Sequence, residues 1–252
     1  MPTVSRLAVA PVKGLALSHA DEVEVTAHGV PQDRRFYLVE ESGKLVSGTK
    51  DSPLFTVRAA TDPAAGTLSL AFADGRELAG KVELGDALKT TFFGRPVGGR
   101  VVDGPWAAAL SALVGRPVRL VRVDEGGGGF DSYPVSLLSD ASLEELARQS
   151  GDGPVDGRRF RMLVHVAGTA PHEEDGWLGR RVRIGRAVVE VTERDPRCRM
   201  TTRNPETGIR DWDSLKAIKG YRGVVADGIN FGVYASVVEP GWVRIGDPVE
   251  PL

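Results

Sequence analysis

The chain has 252 residues, 41% of them hydrophobic and 26% charged, with a formal net charge of −2 and a single cysteine. That length allows one or two domains and a core that buries roughly 70–75% of the unfolded surface. The charge balance gives no bulk electrostatic reason to expect a nucleic-acid or membrane partner. One cysteine excludes an internal disulfide and fits a reducing compartment. No run of about 18 apolar residues occurs, so no transmembrane helix is expected. Met1-Pro2-Thr3-Val4-Ser5-Arg6 leads straight into a strand-like pattern without an apolar leader core, so a soluble, cytoplasmic protein is the expectation.

Val4 to Val12 alternates as a strand and ends at the turn Pro11-Val12-Lys13-Gly14. Val23-Glu24-Val25 starts another. Asp33-Arg34-Arg35-Phe36-Tyr37-Leu38-Val39 is a charged entry into an apolar strand, with a hairpin into Leu45-Val46-Ser47. Phe55 to Arg58, Thr67 to Phe72 and Lys89 to Phe93 read as short strands, and Asp74-Gly75 as a turn. Pro105 to Gly115 reads as a helix, with Pro near its start and Gly at its end. Arg119 to Val123 is a strand, and the four glycines 126–129 read as a flexible loop that lacks the Gly-Lys-Ser/Thr of a phosphate loop.

Tyr133 to Leu138 is extended. A helix follows from Ser139 to Ala147, capped by Ser139 or Asp140. Phe160 to Val166 is a strand opened by Arg158, Arg159 and Arg161; residues 181–185 and 187–192 form a hairpin. Asp211 to Ile218 is a short helix, and Phe231 to Val238 and Trp242 to Ile245 are the last strands. Many short strands with few helices predict a β-rich α+β fold with barrel-like sheets, not a doubly wound parallel sheet.

Chemistry concentrates in Glu193-Arg194-Asp195-Pro196-Arg197-Cys198-Arg199-Met200-Thr201-Thr202. Arginines at 194, 197 and 199 mark Cys198, on sequence grounds, as a chemically poised cysteine, whereas free cysteines are also common as small buried residues. Four systems compete. Cys–His nucleophilic catalysis has His19, His28, His165 and His172 to draw on, none in a context that marks it as a base. His165, inside an apolar strand, reads as a sheet histidine. A zinc site lacks paired ligand spacing, and His172-Glu173-Glu174-Asp175 reads as a solvated acidic loop. An anion site could form from Lys13, Arg34, Arg35, Arg158, Arg159, Arg161, Arg194, Arg197 and Arg199 if strand ends bring them together. The fourth system joins the last to the cysteine: a thiolate holding a sulfur-liking metal beside arginines that bind an anionic organic cofactor.

Arg197-Cys198-Arg199-Met200-Thr201-Thr202, Pro205-Glu206-Thr207-Gly208, Phe231-Gly232-Val233-Tyr234 and Ile245-Gly246-Asp247-Pro248-Val249 resemble the motifs of the MOSC domain, named for the C-terminal part of molybdenum-cofactor sulfurases. Pro11 to Gly14, Asp33 to Phe36 and Leu113 to Leu120 resemble the β-barrel domain that precedes it, and Leu137 to Leu143 matches in the middle. The resemblance places an N-terminal barrel domain at 1–122, packed on a MOSC-type β-barrel domain at 123–252. It is nearest to the amidoxime-reducing class and implies a molybdenum–pyranopterin cofactor. Cys198 would be the metal ligand and catalytic residue, with Lys13, Arg34, Ser139, Arg161, Arg197 and Thr201 around the cofactor. It implies reduction of small N-hydroxylated or N-oxygenated substrates with electrons from a separate ferredoxin- or cytochrome-type partner. The alternative is a sulfur carrier or cofactor-binding module using a Cys198 persulfide. Two positions depart from the pattern: Gly14 stands where close relatives often carry Ser, and Met162-Leu163 where the amidoxime reducers have Pro-Asn.

Overall fold

A computed structural model describes residues 1–124, 128–225 and 228–252. Glycines 126 and 127 of the expected glycine loop lie outside these. The strands in chain order begin with β1 (Thr3–Val9), β2 (Ser18–Ala20), β3 (Glu22–Val25), β4 (Phe36–Glu40), β5 (Arg58–Asp62) and β6 (Thr67–Ala71). They continue with β7 (Glu77–Lys81), β8 (Glu83–Phe92), β9 (Arg95–Asp103), β10 (Val118–Val123), β11 (Val135–Ser139) and β12 (Val164–Ala167). The last are β13 (Arg181–Ile184), β14 (Ala187–Pro196), β15 (Asn230–Glu239), β16 (Gly241–Arg244) and β17 (Val249–Pro251). Three helices, α1 (Trp106–Val114), α2 (Asp140–Ser150) and α3 (Ser214–Arg222), complete a β-rich α+β fold.

The main sheet runs β17-β13-β14-β15-β11-β12-β1-β2. Only β11 and β12 run parallel among its pairs. Its alternating inward residues, among them Leu7, Leu137, Val164, Val189 and Val233, form one core with Trp177. A four-stranded sheet, β4-β10-β9-β8, and a three-stranded one, β5-β6-β7, share a second core with Phe36, Leu38, Leu70, Leu120 and the α1 residues Trp106 and Leu110.

One expectation changes: among the described residues no sheet closes into a barrel. The segment before β17 does meet β1, with Val4 N–H donating to Asp247 O at 2.8 Å and Val249 N–H to Pro2 O at 2.9 Å. That contact stays an isolated bridge, Thr3 opposite Pro248, because proline has no N–H to extend a ladder. The expected boundary at 122/123 divides the chain without dividing the sheets: β1 pairs with β12 and β3 with β16. Residues from both halves of the sequence therefore meet beside β1.

Local chemistry explains the smaller differences. Phe55 lies in a 3-10 turn, Ser52–Thr56, and not in a strand, because Pro53 fixes its first turn. Residues 160–163 likewise leave a 3-10 turn, Gly157–Phe160, before β12 begins. His165 is a buried sheet residue, as expected, 3.6 Å from Asp140. The 172–175 segment is not simply solvated: Glu174 is 1% exposed and accepts from Ser139 N–H at 3.2 Å and Ser142 Oγ at 2.8 Å. Among the described residues no helix is long and apolar enough to cross a membrane.

Candidate functional site

β14 ends at Pro196, and the chain turns out through Arg197 and Cys198 into a 3-10 turn, Arg199–Thr202. Cys198 sits at the head of that turn in an extended conformation, and its carbonyl accepts from Thr201 N–H at 3.2 Å and Thr201 Oγ1 at 3.1 Å. The thiol is exposed, which removes the reading of Cys198 as a small core residue. It opens on a cavity of about 380 Å³ whose lining also includes Lys13, Arg34, Arg161, Arg197 and Arg199. A larger groove of about 660 Å³ shares Phe55 and Arg161 with the neighbourhood, but Cys198 is not in its lining. Size does not locate the chemistry here; the thiol does.

Each cation is held by a different piece of backbone. Lys13 follows β1, where its N–H donates to Phe36 O at 2.8 Å. Its ammonium donates to Gly129 O at 2.7 Å, pairs with half-exposed Asp131 and lies 5.1 Å from the centre of the Phe92 ring. Burial pulls its pKa down, with Asp131 opposing and Arg34 adding to the fall. Arg34 pairs with buried Asp33 and donates through Nη2 to Arg161 O at 2.9 Å. Burial works against its charge, but Asp33 and Asp131 outweigh that and raise its pKa. Arg161 caps its 3-10 turn, donates to Leu15 O at 2.7 Å and lies 5.8 Å from the Phe55 ring centre.

Arg34 and Arg161 both have left-handed backbones, φ 50° and 55°. Non-glycine residues rarely stay there without compensation, at a cost of order 1 kcal/mol each. Arg161 differs from the others in charge. Among the described residues no carboxylate pairs with it, and burial, then Arg34, lowers its pKa to about 10. A guanidinium stays protonated at neutral pH, so this is a partly buried positive charge with no paired carboxylate, acted on by Asp33 and Asp131 only at a distance.

Arg197 is almost buried. It pairs with Asp195, donates to Phe160 O, and reaches Met162 Sδ at 3.4 Å. Among the described residues its Nε has no hydrogen-bond partner. Burial raises Asp195 to about 6 despite the Arg197 charge. Tyr234 lines the same cavity, and burial, followed by the Asp195 charge, raises its pKa. Besides the exposed Lys50 and Arg199 of its lining, the cavity has four less exposed cations, Lys13, Arg34, Arg161 and Arg197, against three carboxylates, Asp33, Asp131 and Asp195.

Two expected cofactor residues lie elsewhere. Ser139 and Thr201 are fully buried and absent from the cavity lining. Ser139 Oγ caps α2, accepting from Ser142 N–H at 3.1 Å, and Thr201 Oγ1 bonds Ser214 Oγ at 2.7 Å. Their roles are local: one starts a helix and the other fixes the turn behind Cys198. Of the remaining arginines, Arg158 pairs with Asp156 and Glu206, Arg159 with Asp211, and Arg194 lies 4.0 Å from Asp175. Lining residues that sequence reasoning missed are Asp131, Asp195, Ser136 and Tyr234. Asp195 carried a signal, as an acid within the arginine cluster, and Tyr234 did as the last residue of the Phe231-Gly232-Val233-Tyr234 motif. Gly14 is explained by its φ of 90° and by Gly48 N, 3.3 Å from where a Cβ would stand. The Met162 departure supplies the sulfur that Arg197 touches.

Residues 124–250 match the MOSC domain family, and residues 1–115 match the MOSC N-terminal beta barrel domain family. The chain belongs to the MOSC domain family. It is 27% identical over 279 residues to mitochondrial amidoxime reducing component 2 of Bos taurus, covering 98% of this chain and 82% of the relative. Mitochondrial amidoxime-reducing component 1 of Homo sapiens is 26% identical over the same coverage. A molybdenum cofactor sulfurase of Danio rerio is 25% identical over 92% of this MOSC chain but 31% of its own length.

Proposed function

We propose that this cavity holds a phosphate-bearing molybdenum pyranopterin, with Cys198 as the protein's ligand to the metal, and that the loaded protein reduces N-hydroxylated compounds. One observation carries the reading: an exposed thiol and a partly buried guanidinium without a paired carboxylate belong to one cavity lining. A thiolate suits a sulfur-liking metal, and Arg161 fits a phosphate that no protein carboxylate replaces. About 380 Å³ is within the range of small-cofactor sites. The names of the relatives, amidoxime reducing components and a molybdenum cofactor sulfurase, point the same way.

When bound, the cofactor supplies two-electron oxygen removal, in which R–NH–OH, two electrons and two protons give R–NH2 and water. The chain's own residues do the rest. Lys13, Arg34 and Arg161 bind and orient the anionic end. The Arg197–Asp195 pair fixes the end of β14, so that Cys198 leaves the sheet at one defined place. Asp195, raised to about 6, can hold or release a proton near neutral pH beside Tyr234. These 252 residues contain one cysteine, too few for a cysteine-ligated iron–sulfur cluster, so in this reading the electrons reach the site from outside them.

The test is elemental analysis and visible absorption of protein made in a cofactor-producing host, wild type beside Cys198→Ser. The expected wild type holds close to one molybdenum per chain and reduces N-hydroxybenzamidine with dithionite-reduced methyl viologen. The variant loses both the metal absorption and turnover. Molybdenum far below one per chain, with a transferable sulfur on Cys198, would mean a persulfide carrier instead.

A further inference from the structure

The rim of the cavity carries a second pattern. Phe93 is 78% exposed, more than any other aromatic side chain among the described residues. With Gly94 it forms the two-residue turn between β8 and β9, and both have positive φ, 49° and 88°. Such a turn favours Asn or Gly first, so a phenylalanine there is backbone-strained while its ring faces water. Neither packing nor turn chemistry accounts for it.

Phe93 also separates two depressions. It lines the Cys198 cavity and, on its other side, a shallow basin of about 580 Å³ bordered by Lys44 and Lys89. Leu45 and Ser47 are common to both. Lys50 and Arg199 line the cavity on the near side of that divide. No ion pair among the described residues engages Lys44, Lys50, Lys89 or Arg199. The basin lining holds no carboxylate, and the cavity's two, Asp131 and Asp195, already pair with Lys13 and Arg197. The chain as a whole is slightly acidic, at −2, so this positive rim is local.

We infer that this rim, Phe93 with Lys44 and Lys89 in the basin lining and Lys50 and Arg199 in the cavity lining, is the docking surface for a small acidic one-electron carrier protein. The inference rests on the proposed reductase function and names its partner's contact surface. Transient redox encounters use small interfaces, steered by opposite charge, with a central apolar contact. The position at the mouth of the thiol cavity favours a redox protein over a lipid surface or a nucleic acid. Two carriers each lose one electron per N–OH reduced; two protons from solvent complete the amine and water.

The experiment uses cofactor-loaded protein with two donors: an acidic [2Fe–2S] ferredoxin and dithionite-reduced methyl viologen, a small cation. Lys44→Glu with Lys89→Glu lies outside the thiol cavity. It is expected to raise KM for ferredoxin about tenfold at low salt while viologen-driven turnover of N-hydroxybenzamidine is unchanged. Raising salt from about 20 to about 200 mM should raise the wild-type ferredoxin KM and leave that of the variant nearly flat. Lys44→Gln with Lys89→Gln should fall between. An unchanged ferredoxin KM with viologen turnover intact overturns the docking surface alone. If, in addition, binding to phosphatidylserine vesicles is lost in the variant, the rim is a membrane contact. Wild type inactive with both donors overturns the reductase reading and this inference with it.

Discussion

Two buried polar assemblies of this molecule handle charge in opposite ways. Behind α2, Ser139, Ser142 and Glu174 close on one another: Glu174 Oε1 takes bonds from Ser139 N–H and Ser142 Oγ, and Ser142 Oγ also accepts from His172 N–H at 2.8 Å. Burial raises the Glu174 pKa, so that cluster moves toward neutrality. Beside Cys198 the charges persist. Lys13, Arg34 and Arg197 pair with acids, and Arg161 is left over. The first assembly holds no surplus charge, although Glu174 Oε2 is buried without a hydrogen-bond partner among the described residues. The second leaves one of its less exposed cations without a paired acid, and in the proposed function that surplus is what receives the anionic end of the cofactor.

Removing the surplus charge is the strongest way to break the contrast. Arg161→Asn keeps a residue that tolerates the left-handed backbone and deletes the guanidinium. Affinity for inorganic pyrophosphate, measured by calorimetry on the cofactor-free protein, should fall about 100-fold, or about 3 kcal/mol. The thermal midpoint should hold or rise, because a partly buried charge without a paired carboxylate is gone. A large fall in the midpoint with unchanged anion affinity would make Arg161 a structural residue, like Ser139.

The α2 cluster predicts the reverse. Glu174→Ala leaves Ser139 N–H and Ser142 Oγ without their acceptor and should destabilise the fold by about 2 kcal/mol, with pyrophosphate affinity unchanged. The pH dependence sharpens this. The folded pKa of Glu174 lies above its usual 4.5, so the folded chain keeps a proton that the unfolded chain has released. Its contribution is full below pH 4.5 and is lost as pH rises through the raised value. Chemical denaturation of wild type and Glu174→Gln between about pH 4 and pH 8 should show a falling contribution in the wild type that the glutamine variant lacks.

The same contrast explains what could be read in the sequence. α2 and its Ser139 cap, α1 with Gly115 after it, and the β13–β14 hairpin follow from local rules and appear as expected. β9 does not, because Gly98 and Gly99 break its pattern; a Cβ at Gly99 would come within 2.6 Å of Arg122 O, so the glycine serves close strand packing that mimics a loop in the sequence. The charge count at the site was out of reach for a different reason. Lys13 and Asp131 are 118 positions apart, and Arg34 and Arg161 are 127 apart. Motif resemblance could nominate the cations, but nothing local separates Ser139 from the cavity or brings Asp131 into it. Those facts depend on β1 crossing into the C-terminal sheet.

Asp131 offers the finest adjustment. It is half-exposed, and it neutralises Lys13 from the solvent side while also raising the pKa of Arg34. An incoming phosphate must therefore share Lys13 with this carboxylate or displace it. Asp131→Asn keeps the shape and removes the competing charge. Burial then acts on Lys13 with less opposition, so its pKa falls further, but the ammonium that remains is free for an anion. Pyrophosphate should bind about fivefold more tightly, in keeping with about 1 kcal/mol for a partly exposed pair, and the gain should shrink with added salt. Weaker binding would instead show that Asp131 holds Lys13 in the orientation the anion needs, and the charge surplus would then rest on Arg161 alone.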